Sequence, residues 1–200
     1  MIINEHATVI DTKEIAFNTY ETYLCSPKIA KLALPGQFIN ILPSLDWPNV
    51  MRRPMSIASQ DSKNISIIYK SVGIGTEIMK NWVAGDTIDL IGPLGNHWQG
   101  YEDYYSILIG GGVGIAPILN LHNILGKRSI KHTLIMGAQA KKDHFIDHEP
   151  NKSIYMATDD GSLGIKGNVV DVLDKLVYEQ KVKIFSCGPP AMMEALKIYS

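Results

Sequence analysis

Near residue 100 the rhythm of the apolar residues changes, and that change divides the chain into two parts. From residue 5 to about 98 they come in short runs, EIAFNTYETYL, GQFINIL, PMSIAS, NISIIYK and DTIDLIG, separated by Pro, Gly, Asn and Asp. Short strands with turn signals between them predict an antiparallel sheet closed into a barrel or sandwich. One helix interrupts it: GTEIMKNWVAG puts Ile78, Met79, Trp82 and Val83 on a single stripe, the spacing of core packing, and Gly85 ends it.

Beyond the polar and aromatic joint HWQGYEDYY, YSILIG is a continuous apolar strand, and a helix follows over 116–125 with Gly126 as its stop. HTLIMGA, SIYMATD and KIFSCG are further buried strands. In NVVDVLDKLVYEQ, Val169, Val172, Leu173, Leu176 and Val177 share one helical face behind an Asn168 cap. Strands alternating with helices mean a parallel sheet. The expectation is therefore two domains, an antiparallel β-barrel over 1–100 and an α/β parallel-sheet domain over 101–200.

Composition excludes several classes. The first 100 residues hold 8 Lys and Arg against 9 Asp and Glu, and the second 100 hold 11 against 11, so neither half is a basic face for nucleic acid. MIINEHATVI has no basic region leading into an apolar core, and nowhere do about 18 apolar residues run together. The expected location is the cytoplasm, with no membrane partner. Cys25 and Cys187 are the only cysteines, which suits a reducing compartment and rules out a four-cysteine metal site within these 200 residues.

ILIGGGVGIAP joins a buried strand to a helix through Gly110, Gly111, Gly112 and Gly114, with Pro117 near the helix start. Such a turn lets a backbone approach a ligand, and the free N–H groups of a helix start favour phosphate. It is not the usual dinucleotide fingerprint, since Pro117 occupies the third glycine position and no acid ends the next strand, LIMGAQAKK. A nucleotide site and a tight structural turn both remain open. TDDGSLGIKG and CGPP should emerge on the same edge of the sheet. There Asp159 and Asp160 either serve a ribose hydroxyl or form an ordinary Asp-Asp-Gly turn. Cys187, followed by Gly188, Pro189 and Pro190, is either an apolar filler or a thiol facing a bound ring.

In the first half MRRPMSIAS places two arginines before a strand, with Pro54 stiffening the backbone beside them, and Arg suits bidentate phosphate contact. SVGIGTEIM offers Gly73, Gly75 and Thr76 at a helix start. Two separate phosphate-ready sets imply two nucleotides. KKDHFIDHEP carries His144 and His148 four apart; a shared metal is conceivable on a helix, but the polar, Pro-stopped segment reads as a solvated loop.

Taken together, Arg53-Pro54-Met55-Ser56, Gly75-Thr76, GGGVGIAP and Cys187-Gly188-Pro189 resemble the motifs of the ferredoxin-reductase superfamily, over nearly the whole chain. RRPMSIAS, IIYKSVGIGT, GPLGN and TDDGSLGIKG, in that order, are most similar to the electron-transfer subunits of NAD-dependent dihydroorotate dehydrogenases. The resemblance implies an FAD-binding barrel, an NAD-binding α/β domain and a flavoprotein catalytic subunit as partner, with NAD(H) as substrate in pyrimidine biosynthesis. It also implies roles: Arg53 and Ser56 for FAD phosphate and flavin ring, Ile68, Tyr69 and Lys70 for ribose and adenine, Gly73, Gly75 and Thr76 for the pyrophosphate. Gly111, Gly112, Gly114, Pro117, Asp160, Cys187, Gly188 and Pro189 would hold the pyridine nucleotide, with Cys187 and Ser56 nearest the reacting rings. Met55 departs from the pattern, because many relatives have an aromatic residue there. Family members continue past the CGPP helix into a cysteine-rich tail holding a two-iron two-sulfur cluster; this sequence ends at Ser200, so no cluster is expected in it. A free-standing NAD(P)H:flavin reductase and a non-catalytic nucleotide-binding module are the rival readings, and the choice between NAD and NADP is open.

Overall fold

The computed structural model describes residues 1–47 and 51–199. The chain divides into two compact units, Met1–His97 and Trp98–Ser200.

The first unit is a closed antiparallel barrel of β1 (Ile3–Ala16), β2 (Thr19–Cys25), β3 (Phe38–Ile41), β4 (Arg53–Gln60), β5 (Asn64–Lys70) and β6 (Thr87–Leu94), in the order β1-β2-β5-β4-β3-β6. Short helices α1 (Pro27–Leu32) and α2 (Ile74–Met79) accompany it. Leu24, Ile39, Ile41, Ile57, Ile65, Ile67 and Leu90 fill its interior, one inward side chain for every two residues of strand. EIAFNTYETYL is not one strand but the hairpin between β1 and β2, turned at Asn18 with φ 53°. The first half of β1 has no apolar run to announce it, since Glu5, Ala7 and Val9 are its buried positions. Glu5 accepts hydrogen bonds from the Ser26 hydroxyl at 2.6 Å and the N–H groups of Lys28 and Ile29 at 3.1 and 3.0 Å, so a buried carboxylate caps α1. The stripe expected on α2 is shorter than its sequence implies. Met79 and Trp82 are buried, the latter donating to Pro43 O at 2.9 Å, whereas Val83 lies past the helix end and is 63% exposed.

In the second unit a parallel sheet runs β10-β9-β8-β7-β11. Its strands are β7 (Tyr105–Gly111), β8 (His132–Ala138), β9 (Ile154–Thr158), β10 (Ile165–Lys166) and β11 (Val182–Cys187). Helices α3 (Ile115–Lys127), α4 (Val169–Leu173) and α5 (Pro190–Leu196) complete the unit. Gly126 does not stop α3, which continues to Lys127 with its end at Arg128. Asn168 caps α4 as expected, accepting from Val170 N–H at 2.8 Å, but the helix lasts five residues and Val177 is 91% exposed, because the chain turns at Asp174–Leu176 before that face is complete. The joint is fastened to this unit by Trp98 and Tyr101, both edge-on to Phe185.

KKDHFIDHEP is not a solvated loop. Phe145 and Ile146 pack on the core, His144 Nε2 donates to Ala157 O at 3.0 Å, and His148 Nδ1 accepts from Met156 N–H at 2.9 Å. The two imidazoles thus bond main-chain groups of β9, at and just before the point where its short neighbour β10 pairs with it. No group of three or more metal-ligating side chains occurs among the described residues. No described helix is long and apolar enough to cross a membrane.

A second histidine pair lies where α3 meets β8. His132 Nδ1–H donates to Ile130 O at 2.7 Å, which leaves its Nε2, in the neutral ring, to accept from His122 Nδ1–H at 2.7 Å. Burial pushes His122 down to about 4, with His132 adding to the effect, and burial also lowers His132 against the opposing pull of the Ile130 carbonyl. Because both folded values lie below that of an unfolded histidine, about 6.5, the contribution is whole above that pH and is lost as pH falls towards the lowered values. Going from about pH 7.5 to about pH 5 should remove about 1–2 kcal/mol, discounted for partial exposure, and the urea midpoint reads it. A His122→Asn variant should lose most of that slope.

Candidate functional site

In the barrel the site is a seam. β4 pairs with β3 over Arg53–Ser56, from Ile41↔Arg53 to Phe38↔Ser56, but meets β5 only through Ile57↔Ile67, Ser59↔Ser66 and Gln60↔Ile65, with a bulge between Ile57 and Ser59. β5 remains paired to β2 as far as Lys70. The register between these two strands thus covers Ile57–Gln60 and Ile65–Ile67, and Arg53–Ser56 and Ile68–Lys70 continue beyond it along the same seam. Every strand residue expected to hold FAD lies on this seam. Pro54 is exposed, Ser56 is half-buried, and Met55 packs partly onto the barrel core. Tyr69 turns inward with Ile65 and Ile67, and Ile68, also buried, lies on the opposite face of the strand. The Tyr69 hydroxyl is 3.1 Å from Thr22 Oγ1, its ring stacks with Tyr20, and burial pushes that hydroxyl up to about 12. On the face away from the barrel core this segment carries Ile68 and the half-buried Lys70.

The two arginines have different fates. Arg52 donates to the Asp89 carboxylate at 3.0 Å and to its carbonyl at 3.2 Å. Arg53 reaches Met51 O by a long contact, 3.4 Å, and its Nε stands 3.0 Å from where a Cβ on Gly75 would be. The guanidinium and the start of α2 are thus neighbours, and Gly75 is the residue that admits the approach. Thr76 shapes the turn: its hydroxyl accepts from the N–H groups of Val72 and Gly73 at 3.0 and 3.2 Å and donates to Gly73 O at 2.9 Å. Over Gly73 a Cβ would meet nothing within 4 Å. A cation, a helix start and open space above it fit a phosphate.

In the second unit, parallel register brings the expected loops to one edge, through Cys187↔Gly110, Gly111↔Gly137 and Ala138↔Thr158. The glycines divide their work. A Cβ on Gly110 would strike Ile115, on Gly111 Met192 and Pro189, and on Gly114 the Cys187 carbonyl at 2.5 Å, so these three allow close packing. Gly112, exposed at φ 54°, has open space over its backbone, room that a ligand could use. Pro117 is buried in the first turn of α3, where its missing N–H costs nothing. Gly188 backs onto Gly111 N at 3.1 Å from its own Cβ position, which fastens the CGPP turn to the glycine turn, with Pro189 exposed beside it. Cys187 is half-buried and burial raises its thiol, so it stands protonated at neutral pH and is no nucleophile. Asp160 is exposed, and its carboxylate accepts from the Ser162 hydroxyl at 2.5 Å and N–H at 2.9 Å, bonds that hold it below the usual range. Its own N–H reaches Gln139 O at 3.3 Å, beside the end of β8. The Asp-Asp-Gly segment is therefore an ordinary turn that also carries a fixed negative charge at the ligand edge of the sheet.

Residues 108–197 match the oxidoreductase NAD-binding domain family. The dihydroorotate dehydrogenase B (NAD(+)) electron transfer subunit of Fusobacterium nucleatum is 38% identical over 205 residues, covering 96% of this chain and 78% of the relative. The chain belongs to this family of electron transfer subunits. Its Listeria monocytogenes serotype 4b member is 39% identical over 94% of the chain and 76% of its own length. Among solved structures, an NADH-dependent reduced ferredoxin-NADP oxidoreductase superposes with a TM-score of 0.82 at 30% identity, over 97% of this chain and 71% of that one. Phthalate dioxygenase reductase, at 18% identity and a TM-score of 0.75 over 98% of this chain and 63% of its own, shares the fold. The family's fold is the one built here, a six-stranded antiparallel barrel and a parallel-sheet NAD-binding unit.

Sequence reasoning overlooked Trp47 and Met192. Trp47 lies under Arg53, and Met192 lies beneath Gly111 and Gly188. No motif marks either residue; for Met192 the one usable signal was its place two residues into the helix after CGPP.

Proposed function

We propose that this chain is an FAD-dependent NAD(H) oxidoreductase subunit that carries electrons from a dihydroorotate-oxidising flavoprotein subunit to NAD⁺ in the cytoplasm. The observation that carries the reading is the pairing of two phosphate-ready sites in one chain of this family: Arg53 beside the Gly75 helix start, and the Gly112 turn beside Cys187-Gly188. FAD, when bound, supplies the two-electron chemistry that no side chain here possesses.

The chain's own residues bind and orient. Arg53, Gly73, Gly75 and Thr76 hold the FAD pyrophosphate, and the main chain of Ile68 and Tyr69 with Lys70 lines the ribose and adenine end. Pro54, Met55 and Ser56 lie along the flavin ring, with Ser56 nearest its reacting edge. Gly111, Gly112, Gly114 and Pro117 form the nicotinamide nucleotide's phosphate turn, Gly188 and Pro189 hold that turn in place, and Asp160 faces the ribose. Cys187, a neutral thiol, borders the nicotinamide and excludes water there. The residues of 1–100 form the FAD domain in this reading, and those of 101–200 the NAD domain.

The test is an absorption spectrum of the purified protein, then anaerobic titration with NADH. Bound flavin that bleaches on adding NADH supports the reading, as does slower bleaching in Cys187→Ala with flavin content unchanged. Colourless protein that neither takes up FAD nor oxidises NADH would sink it.

A further inference from the structure

The Arg53 guanidinium stands over the indole of Trp47, with Cζ 5.0 Å from the ring centroid. Trp47 is 8% exposed, yet it is not among the residues of the barrel's main core cluster. Its Nε1–H donates to Met51 O at 3.1 Å, the same oxygen that Arg53 Nη1 reaches at 3.4 Å. One carbonyl thus anchors both the ring and one corner of the cation. With Nη1 so occupied, the side-on fork of Nε and Nη2 is left, and Nε is the atom beside Gly75.

We propose that Trp47 is a positioning residue for flavin binding, an aromatic plate that fixes the plane of Arg53 so that its side-on fork meets the phosphate at the start of α2. The proposal rests on the reading of Arg53 as the phosphate ligand. A free arginine side chain gives up much rotamer freedom when it docks, and a stack already formed removes part of that loss before the ligand arrives. The attraction comes from the negative face of the ring, so an aromatic replacement should keep it and an aliphatic one of similar bulk should not.

The experiment measures FAD affinity of the full chain, stripped of flavin, by quenching of flavin fluorescence, alongside the melting midpoint of the flavin-free protein. Trp47→Phe should bind FAD within about threefold of the parent, and Trp47→Leu about tenfold more weakly. The two flavin-free midpoints should agree within about 2 °C, since both side chains fill the same space. Equal affinities for the two variants, or an affinity loss that tracks a fall in midpoint, would overturn the plate role. Arg53→Ala in the same assay separates the two claims. Parental affinity there overturns the assignment of Arg53 itself, whereas weak binding there with equal Leu and Phe variants sinks Trp47 alone.

Discussion

Gly114→Ala should lower the rate at which NADH reduces bound flavin by about 100-fold or more while leaving flavin content unchanged. The added Cβ would lie 2.5 Å from the Cys187 carbonyl oxygen, 2.7 Å from its carbon and 2.7 Å from Gly188 Cα, all main-chain atoms without a flexible end to yield. Either the glycine turn or the CGPP turn must move, and displacing a nucleotide by about 1 Å costs on that scale in rate. Overpacking of this kind also costs about 1–3 kcal/mol of stability, confined to the second unit. Stopped-flow reduction at saturating NADH is the measurement. A rate within threefold of the parent, from protein with normal flavin content, would remove the glycine turn from the nucleotide site.

Arg53→Ala should weaken FAD binding by about 30- to 5,000-fold, the equivalent of about 2–5 kcal/mol for a charge-assisted fork on phosphate. The fold should survive, since among the described residues Arg53 contributes a 3.4 Å contact and a ring stack, while the neighbouring ion pair with Asp89 belongs to Arg52. Arg53→Lys should be nearly as weak, because a point ammonium cannot reproduce two parallel donors. Isothermal titration of flavin-free protein with FAD gives the constant directly. Stoichiometric flavin retained through purification of Arg53→Ala would contradict the assignment.

The two kinds of sheet were legible because strand spacing in the first half and strand-helix alternation in the second are local patterns. The meeting of GGGVGIAP, TDDGSLGIKG and CGPP was legible for a topological reason, since parallel strands deliver the loops after them to one edge. What escaped depended on distant partners. Nothing local separates Arg52 from Arg53; Asp89, on another strand, makes the difference. Ile68 and Tyr69 sit in a continuous apolar run, NISIIYK, so alternation could not say which way their side chains turn. His144 and His148 looked solvated because their partners are main-chain atoms of β9, which sequence does not display. Gly126 misled in the opposite direction: a helix already packed through Leu121 and Leu125 absorbs the small penalty of one exposed glycine.

The β4–β5 seam has a consequence for how this protein is made in a cell. A short ladder is where a closed barrel opens most readily and exposes strands to intermolecular pairing, so a chain released from the ribosome before it captures its dinucleotide is the form prone to clump. Mass action protects only the loaded form. Vitamin B2 supply would then set how much of this polypeptide survives, as well as how much of it works.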